Sequence, residues 1–148
     1  MGFRGNLIRR GIICTFTEVI VKTLFCKRQA APTAMTVAAT MTAAGLLSGL
    51  ITGTHTAGAT QAYTLPTGAL LDAALTRDFA VNDSFDFTLI NLSVAAADTI
   101  TLTASVGITI VGNPIIDANL IYTSWYLNAG TFRVRKTAAD TFVAYRIS

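Results

Sequence analysis

Apolar and polar residues alternate along most of the chain after Gln61, and this period of two constrains the fold more than any other feature. In "DSFDFTLINL", Phe85, Phe87 and Leu89 alternate with polar neighbours. The same pattern runs through "DTITLTASVGITIVG", "GTFRVRKT" and "DTFVAYRIS". Such alternation is typical of strands with one buried and one exposed face. With "QAYTLP" and "NLIYTSWYL" added, about seven strands at intervals near ten residues predict a mainly β fold.

Strands with a single apolar face are typical of antiparallel sheets that pack on one side. Their number and spacing predict an antiparallel β-sandwich with a jelly-roll-like architecture. The last two runs flank "KTAAD" and predict a C-terminal hairpin. "TGALLDAAL" predicts one or two helical turns, and Thr42 is a candidate N-cap for a second short helix near Thr42–Leu50.

The chain has 148 residues, a length that suits one compact domain. Its composition changes along the chain and predicts three segments. Residues 1–30 read as a basic, hydrophobic N-terminal anchor or arm, formed by an amphipathic helix or an extended segment. Residues 31–60 are rich in Ala, Thr and Gly and read as a linker, because glycines at four positions argue against a long helix. Residues 61–148 are expected to form the β-sandwich domain.

Charge is scarce and unevenly placed. The chain is 52% hydrophobic and only 13% charged, whereas a soluble domain has about 25% charged residues, so we expect partners to cover much of its surface. Residues 1–30 carry a net charge of +5, and residues 31–148 carry −2. Because the basic charge is confined to the N-terminal segment, the sequence predicts no specific nucleic-acid partner.

The N-terminal segment has the pattern of an amphipathic helix. Sixteen residues separate Arg10 from Lys27, about 24 Å of helix against about 30 Å of bilayer hydrocarbon. On a helical wheel a broad apolar face lies opposite a polar stripe that includes Thr15, which favours a helix on a membrane or a partner. Abundant β-branched residues leave an extended, protein-bound arm as the alternative. The apolar face consists of Ile8, Ile12, Ile13, Phe16, Val19, Ile20 and Leu24, and the basic flank of Arg4, Arg9, Arg10, Lys27 and Arg28.

Residues that carry chemistry are few. His55 is the only histidine, so one chain cannot supply a multi-histidine metal site, and we expect it to be solvated or hydrogen-bonded without a catalytic role. Cys14 and Cys26 lack the spacing of a CxxC motif and are expected to stay reduced. The glycine-rich stretch has no phosphate-binding lysine. We therefore predict no catalytic residue, no cofactor and no metal.

Two groups of residues are candidates for an interface. Alternation places Arg133 and Arg135 on one polar strand face, which is either a solvated or subunit-facing surface or, with Lys136 and Arg146, a basic patch for an anion or glycan. An aromatic group, namely Tyr122, Trp125 and Tyr126, is expected to pack in the core or at a subunit interface, with stacking on a sugar as the alternative.

Three ordered motifs carry a family resemblance over roughly residues 46–148. They are "GLITGTHTAGATQAYTLPTGALLDAAL", "VNDSFDFTLINLSVAAADTITLTASVGITIVG" and the terminal "GTFRVRKTAADTFVAYRIS". This region resembles a module of virion structural proteins found in large DNA viruses of algae and in some tailed phages. The resemblance implies capsid or fibre components with jelly-roll-like β folds and no enzymatic activity. Residues 1–30 look like an added anchor, as in minor capsid proteins of chlorella-virus type that lie beneath the outer shell.

The resemblance implies a non-enzymatic minor capsid or cement protein of the virion. Its expected partners are the major capsid protein, other minor capsid proteins and the internal viral membrane, and we expect it to be oligomeric in the assembly. The alternative is a trimeric fibre or adhesin-type head that binds host glycan through Trp125, Tyr126 and loop aspartates.

Overall fold

The structure, a computed structural model, describes residues 29–55, 60–95, 97–118 and 128–148. Most of the regular structure in these ranges is strand, which confirms the mainly β prediction. The strands are β1 (Thr33–Met35), β2 (Ala39–Thr40), β3 (Leu50–Gly53), β4 (Gln61–Thr64), β5 (Ser84–Asn91), β6 (Ile100–Thr103), β7 (Ile108–Val111), β8 (Ile115–Ile116), β9 (Ala129–Ala138) and β10 (Thr141–Arg146). The helices are α1 (Ala43–Leu47) and α2 (Gly68–Ala74).

The strands form two mixed sheets, between which the chain alternates. The six-stranded sheet has the order β1-β3-β5-β9-β10-β7, and the four-stranded sheet has the order β2-β4-β6-β8. From β1 to β9 each strand lies in the sheet opposite to the preceding strand. Strands β1, β3 and β5 are therefore parallel to one another, as are β2, β4 and β6.

The prediction of antiparallel sheets is wrong for five of the eight strand pairs in the described residues. Only β5 with β9, β9 with β10, and β6 with β8 pair antiparallel. A period of two reports which face of a strand is buried, and it carries no information on strand direction. Here a strand in the other sheet provides the crossover that parallel neighbours need, in place of a hairpin.

One hydrophobic core is shared by both sheets. Phe87 and Phe132, neighbours in the six-stranded sheet, stack with ring centroids 5.3 Å apart. A side chain at Gly53 would collide with Ile100 and Tyr63 of the four-stranded sheet, so the two sheets approach closely there. The largest buried side chains come from both sheets: Ile51, Phe87, Leu89, Phe132 and Phe142 from one, and Tyr63, Ile100, Leu102 and Ile116 from the other.

Both short helices begin at threonine caps. The Thr42 hydroxyl accepts a hydrogen bond from the Gly45 N–H at 3.0 Å, which confirms the predicted cap of α1. The Thr67 hydroxyl accepts from the Leu70 N–H at 3.3 Å at the start of α2. Each cap satisfies a backbone donor that the first helical turn leaves without a partner.

The segment 31–60, for which the sequence predicts a linker, supplies several elements of the fold. It contains β1, β2, α1 and β3, and it contributes Met41, Leu46 and Ile51 to the core. Ile51 is fully buried between partners in β1 and β5. Small residues fit here because strands of the two sheets pass close together, so low sequence complexity in this segment does not indicate a loop.

The predicted C-terminal hairpin is confirmed. Strands β9 and β10 pair antiparallel across a connection at Ala139 and Asp140, and Asp140 adopts a left-handed φ of 54°. The hairpin lies inside the sheet, because β5 covers one side of it and β7 covers the other. The last strands of the chain thus become central strands of the larger sheet.

Candidate interaction surface

Arg133 and Arg135 lie together on the face of the six-stranded sheet that points away from the core. Phe132, which precedes Arg133, and Val134, which lies between the two arginines, are fully buried. The alternation predicted for this strand is therefore confirmed. We call this surface the outer face. Its centre is formed by six residues of β5, β9 and β10, namely Asp86, Thr88, Thr131, Arg133, Val143 and Tyr145.

A bidentate ion pair between Arg133 and Asp86 lies in the middle of the outer face. Arg133 Nε donates to Asp86 Oδ1 and Arg133 Nη2 donates to Asp86 Oδ2, both at 2.8 Å. The hydrogen bonds and charge of Asp86 raise the pKa of Arg133 further above its usual value. The two side chains are 52% and 41% exposed, and an exposed pair of this kind contributes little to stability. Its main effect is to fix both side chains flat on the sheet.

Arg135 is also held by neighbours. Its Nη1 donates to Asn82 Oδ1 at 2.9 Å, and its Nη2 lies 3.5 Å from the Tyr145 hydroxyl. Asn82 adopts a left-handed φ of 77° in the turn before β5. Both arginines of the outer face therefore point along the sheet, and this arrangement favours a flat contact surface over a cradle for an anion.

The structure separates the four basic residues that the sequence grouped as a possible patch. Lys136 Nζ donates to Asp72 Oδ1 at 2.5 Å and to the Phe79 carbonyl at 3.3 Å. Arg146 donates to the carbonyls of Asn113 and Ile115, at 3.1 and 2.5 Å. Only Arg133 and Arg135 remain on one face, because Lys136 binds α2 and the loop after it, and Arg146 binds β8 and the turn before it.

Asp72 links α2 to the C-terminal hairpin. Its Oδ2 accepts from the Asp140 N–H at 3.0 Å, and its Oδ1 accepts from Lys136. The Asp140 N–H and then the Lys136 ammonium hold the pKa of the Asp72 carboxyl below its usual range. The sequence could not identify these two partners of Asp72, since they lie more than sixty residues away along the chain.

A buried polar cluster closes one end of the two sheets. Asn91 Nδ2 donates to the carbonyls of Asp98 and Ile116, at 2.6 and 3.3 Å. The Ser93 hydroxyl accepts from the His55 N–H at 2.7 Å. The side chains of Asn91 and Ser93 thus satisfy backbone groups where strands of both sheets end.

His55 is neither solvated nor hydrogen-bonded through its ring among the residues described, which corrects the sequence-based expectation. It is 5% exposed, and its ring packs edge-on against Tyr63 with centroids 5.5 Å apart. Neither ring nitrogen has a hydrogen-bond partner in the described part of the chain. The Tyr63 hydroxyl donates to the Met35 carbonyl at 3.0 Å, and burial raises the pKa of Tyr63 to about 12.

Large aliphatic side chains are exposed at several places on the body. Val106 is 83% exposed and Leu70 is 60% exposed, and they lie near each other because the Gly68 N–H donates to the Val106 carbonyl. The full set is Val37, Leu70, Val81, Leu92, Val94, Val106, Val111, Ile115 and Ile147. Single exposed aliphatics are common on protein surfaces, and these nine are spread over several elements of the described body.

Several predicted site residues lie outside the described residues. They are the aromatic group Tyr122, Trp125 and Tyr126, the apolar face Ile8, Ile12, Ile13, Phe16, Val19, Ile20 and Leu24, and the basic flank Arg4, Arg9, Arg10, Lys27 and Arg28. Within the ranges that the structure does describe, no cluster of metal-ligating side chains occurs. The helices in those ranges include none that is long and apolar enough to cross a membrane.

The chain was compared with family models, curated proteins and solved structures, and none of them matches it. The geometry of the described residues and the pattern of the sequence therefore carry the functional argument. Two features stand out in that geometry: an outer face on which Arg133 is paired with Asp86 and Arg135 is hydrogen-bonded to Asn82, and aliphatic side chains exposed at several places on the body.

Proposed function

We propose that this protein is a non-enzymatic structural subunit of a virion, a minor capsid or cement protein. The observation that carries the proposal is the set of exposed aliphatic side chains on a body with little charge, nine of them among the described residues. Burial of such side chains in contacts with neighbouring capsid proteins would contribute about 25 cal/mol per Å2. Many modest contacts of this kind suit a subunit that joins larger shell components.

The fold supports the same proposal. We infer that the two sheets are the halves of a β-sandwich related to jelly-roll capsid modules, with parallel pairs added by the alternating path of the chain. The shared core of both sheets supports this assignment. The pairing of Lys136 with Asp72 also fits a structural scaffold, since it links α2 to the C-terminal hairpin.

The N-terminal segment completes the proposal. Its apolar face and basic flank would attach the subunit to the internal viral membrane or to another minor capsid protein. Each Lys or Arg near an anionic membrane surface adds about 1 kcal/mol of attraction, and residues 1–30 carry six of them against one acidic residue.

Fractionation of particles tests the proposal. An antibody raised against the described body would be used on density-purified particles from the biological source, before and after controlled opening of the shell. We expect the protein in the particle fraction and antibody access only after opening. A protein found only in the particle-free fraction would refute the virion role.

The same experiment distinguishes the minor capsid protein from the alternative, a fibre or adhesin-type head. Antibody access on intact particles would favour a trimeric fibre or adhesin-type head, and glycan-array binding that is lost in a Trp125→Ala variant would then identify a host-binding role. Access only after opening, with no glycan binding, would leave the minor capsid protein as the sole proposal.

A further inference from the structure

The outer face of the six-stranded sheet has the composition of an interface. Its outward-pointing positions in β3, β5, β7, β9 and β10 hold mainly threonine and aliphatic residues, with Tyr145 near the centre. In the described strands, none of these outward positions holds lysine or glutamate, two of the residue types that are depleted at interfaces, whereas tyrosine and arginine, which are enriched there, are both present.

Several polar side chains of the outer face are hydrogen-bonded to one another without any partner. The Thr88 and Thr131 hydroxyls lie 3.2 Å apart across β5 and β9. Arg133 is fixed by both oxygens of Asp86, and Arg135 is fixed by Asn82. A partner would therefore meet a surface that has little conformational freedom to lose, and preorganisation of this kind favours association.

The Arg133 and Asp86 pair makes the centre of the outer face self-complementary in charge. Arg133 and Asp86 lie side by side on neighbouring strands, are about half exposed, and have opposite signs. If a twofold axis passes between them, Arg133 of one copy faces Asp86 of the other, and like charges are not brought together. A twofold interface uses the same patch on both subunits, so it requires this kind of self-complementarity.

The size of the outer face suits a dimer. Neighbouring strands lie about 4.8 Å apart and each residue advances about 3.3 Å, so six strands of three to ten residues give a flat footprint of roughly 500–600 Å2. The accessible area exceeds the flat footprint because side chains add relief. It thus approaches the roughly 800 Å2 per partner that stable interfaces bury, in a sheet-on-sheet packing about 10 Å deep.

We propose that a second copy of this chain docks on the outer face, sheet against sheet, across a twofold axis near the Arg133 and Asp86 pair. The proposal goes beyond the virion role, because a self-pairing sheet face would serve a structural subunit in any assembly. The dimer would also provide a unit that presents two N-terminal segments.

Sedimentation equilibrium of the full chain in a mild detergent tests this docking. The test variant is Thr88→Lys, which places a long charged side chain in the middle of the outer face. The matched control is Thr103→Lys, the same change at an exposed position of β6 in the other sheet. We expect a dimer for the wild type and for Thr103→Lys, and at least tenfold weaker association for Thr88→Lys.

Three further variants keep the test decisive. Thr131→Lys replaces Thr88→Lys if circular dichroism shows that the latter fails to fold. Arg133→Asp puts two carboxylates together and should weaken the dimer, and the swap of Arg133→Asp with Asp86→Arg should restore it. A monomeric wild type would overturn the proposal. Equal association of Thr88→Lys and its control Thr103→Lys would also overturn it, because oligomerisation would then belong to another surface or to the N-terminal segment.

Discussion

At the scale of single residues, the carboxylate of Asp72 is the most informative group, because it joins α2 to the C-terminal hairpin. Its pKa is lowered in the folded protein by the Asp140 N–H and by Lys136. A depressed folded-state pKa means that the stabilisation is complete above the unfolded-state value near 4 and is lost as the pH falls through the lower, folded-state value.

We predict that Asp72→Asn lowers the free energy of unfolding by about 1–2 kcal/mol at neutral pH, because Lys136 loses its charged acceptor. The loss should shrink as the pH falls below about 4, because the wild-type carboxylate is protonated first in the unfolded state and then, at lower pH, in the folded state. Urea unfolding at several pH values measures both effects. Asp78→Asn, at an exposed aspartate of the next loop, is the control and should change stability by less than about 0.5 kcal/mol. A loss that is independent of pH would contradict the role of the ionised carboxylate.

Tyr63 should determine part of the alkaline stability. Its pKa rises from 10.0 to about 12 because its phenol is buried, so the folded state disfavours the phenolate. The resulting stabilisation is complete below about pH 10 and disappears as the pH rises towards 12. We predict that Tyr63→Phe costs about 1 kcal/mol at neutral pH, through loss of the hydrogen bond to Met35.

The same substitution should flatten the alkaline unfolding curve, since no phenol remains at position 63 to ionise on unfolding. Circular dichroism between about pH 8 and 12, with phenolate absorbance followed in parallel, measures this. Equal steepness in wild type and variant would show that other groups control alkaline unfolding.

At the scale of elements, the corner where α2 meets the C-terminal hairpin depends on the absence of a side chain. A Cβ at Gly68 would lie on top of the Asp140 carbonyl and within 3.0 Å of the Gly107 carbonyl. Both obstacles are backbone atoms, so a flexible side chain cannot move aside to make room. We predict that Gly68→Ala destabilises the protein by at least about 3 kcal/mol, despite the better helix propensity of alanine.

Thermal unfolding checks this prediction against Ala69→Ser, a control at the next, exposed position of α2. The control should lose less than about 1 kcal/mol, because only helix propensity changes. A comparable loss in both variants would indicate that general weakening of α2, and not the close approach of Asp140, is responsible.

The sequence predicted elements better than their arrangement. The alternation of Phe85, Phe87 and Leu89 identified β5, and the threonine at position 42 identified the start of α1. Both signals are local, so they can be read from a few neighbouring residues. Strand direction and partner choice depend on contacts between distant segments, such as β3 with β5, and the antiparallel prediction failed at that level.

For the candidate surface, the sequence likewise predicted which residues share a face but not which residues they contact. Alternation placed Arg133 and Arg135 on one face, because a strand fixes the side of each residue. It could not show that Asp86 accepts both hydrogen bonds from Arg133, since the two residues are 47 positions apart. The burial of His55 was missed for a similar reason: Ser93, whose hydroxyl accepts from the His55 N–H, is 38 positions away, and the contact with Tyr63 depends on how β3 and β4 pack in opposite sheets.

At the scale of the whole molecule, we assign protein contacts to the described body and membrane contact to the N-terminal segment. The body has a shared core, paired charges and exposed aliphatic side chains, which suit contacts with proteins. The sequence of the N-terminal segment predicts an apolar helical face beside the basic flank, a combination that suits an anionic membrane. This division predicts that membrane binding depends on the apolar face of the segment and not on its charge alone.

We predict that the full chain floats with anionic liposomes and that Phe16→Asp reduces flotation by about tenfold, because a carboxylate replaces an apolar anchor on the membrane face. Thr15→Asp introduces the same charge at the adjacent position on the predicted polar stripe, so it controls for electrostatic repulsion and should reduce flotation much less. High salt should weaken binding of all three proteins, as expected for the basic flank. Equal losses in the two variants would show that charge alone controls binding, and absence of flotation for the wild type would identify the segment as a protein-bound arm.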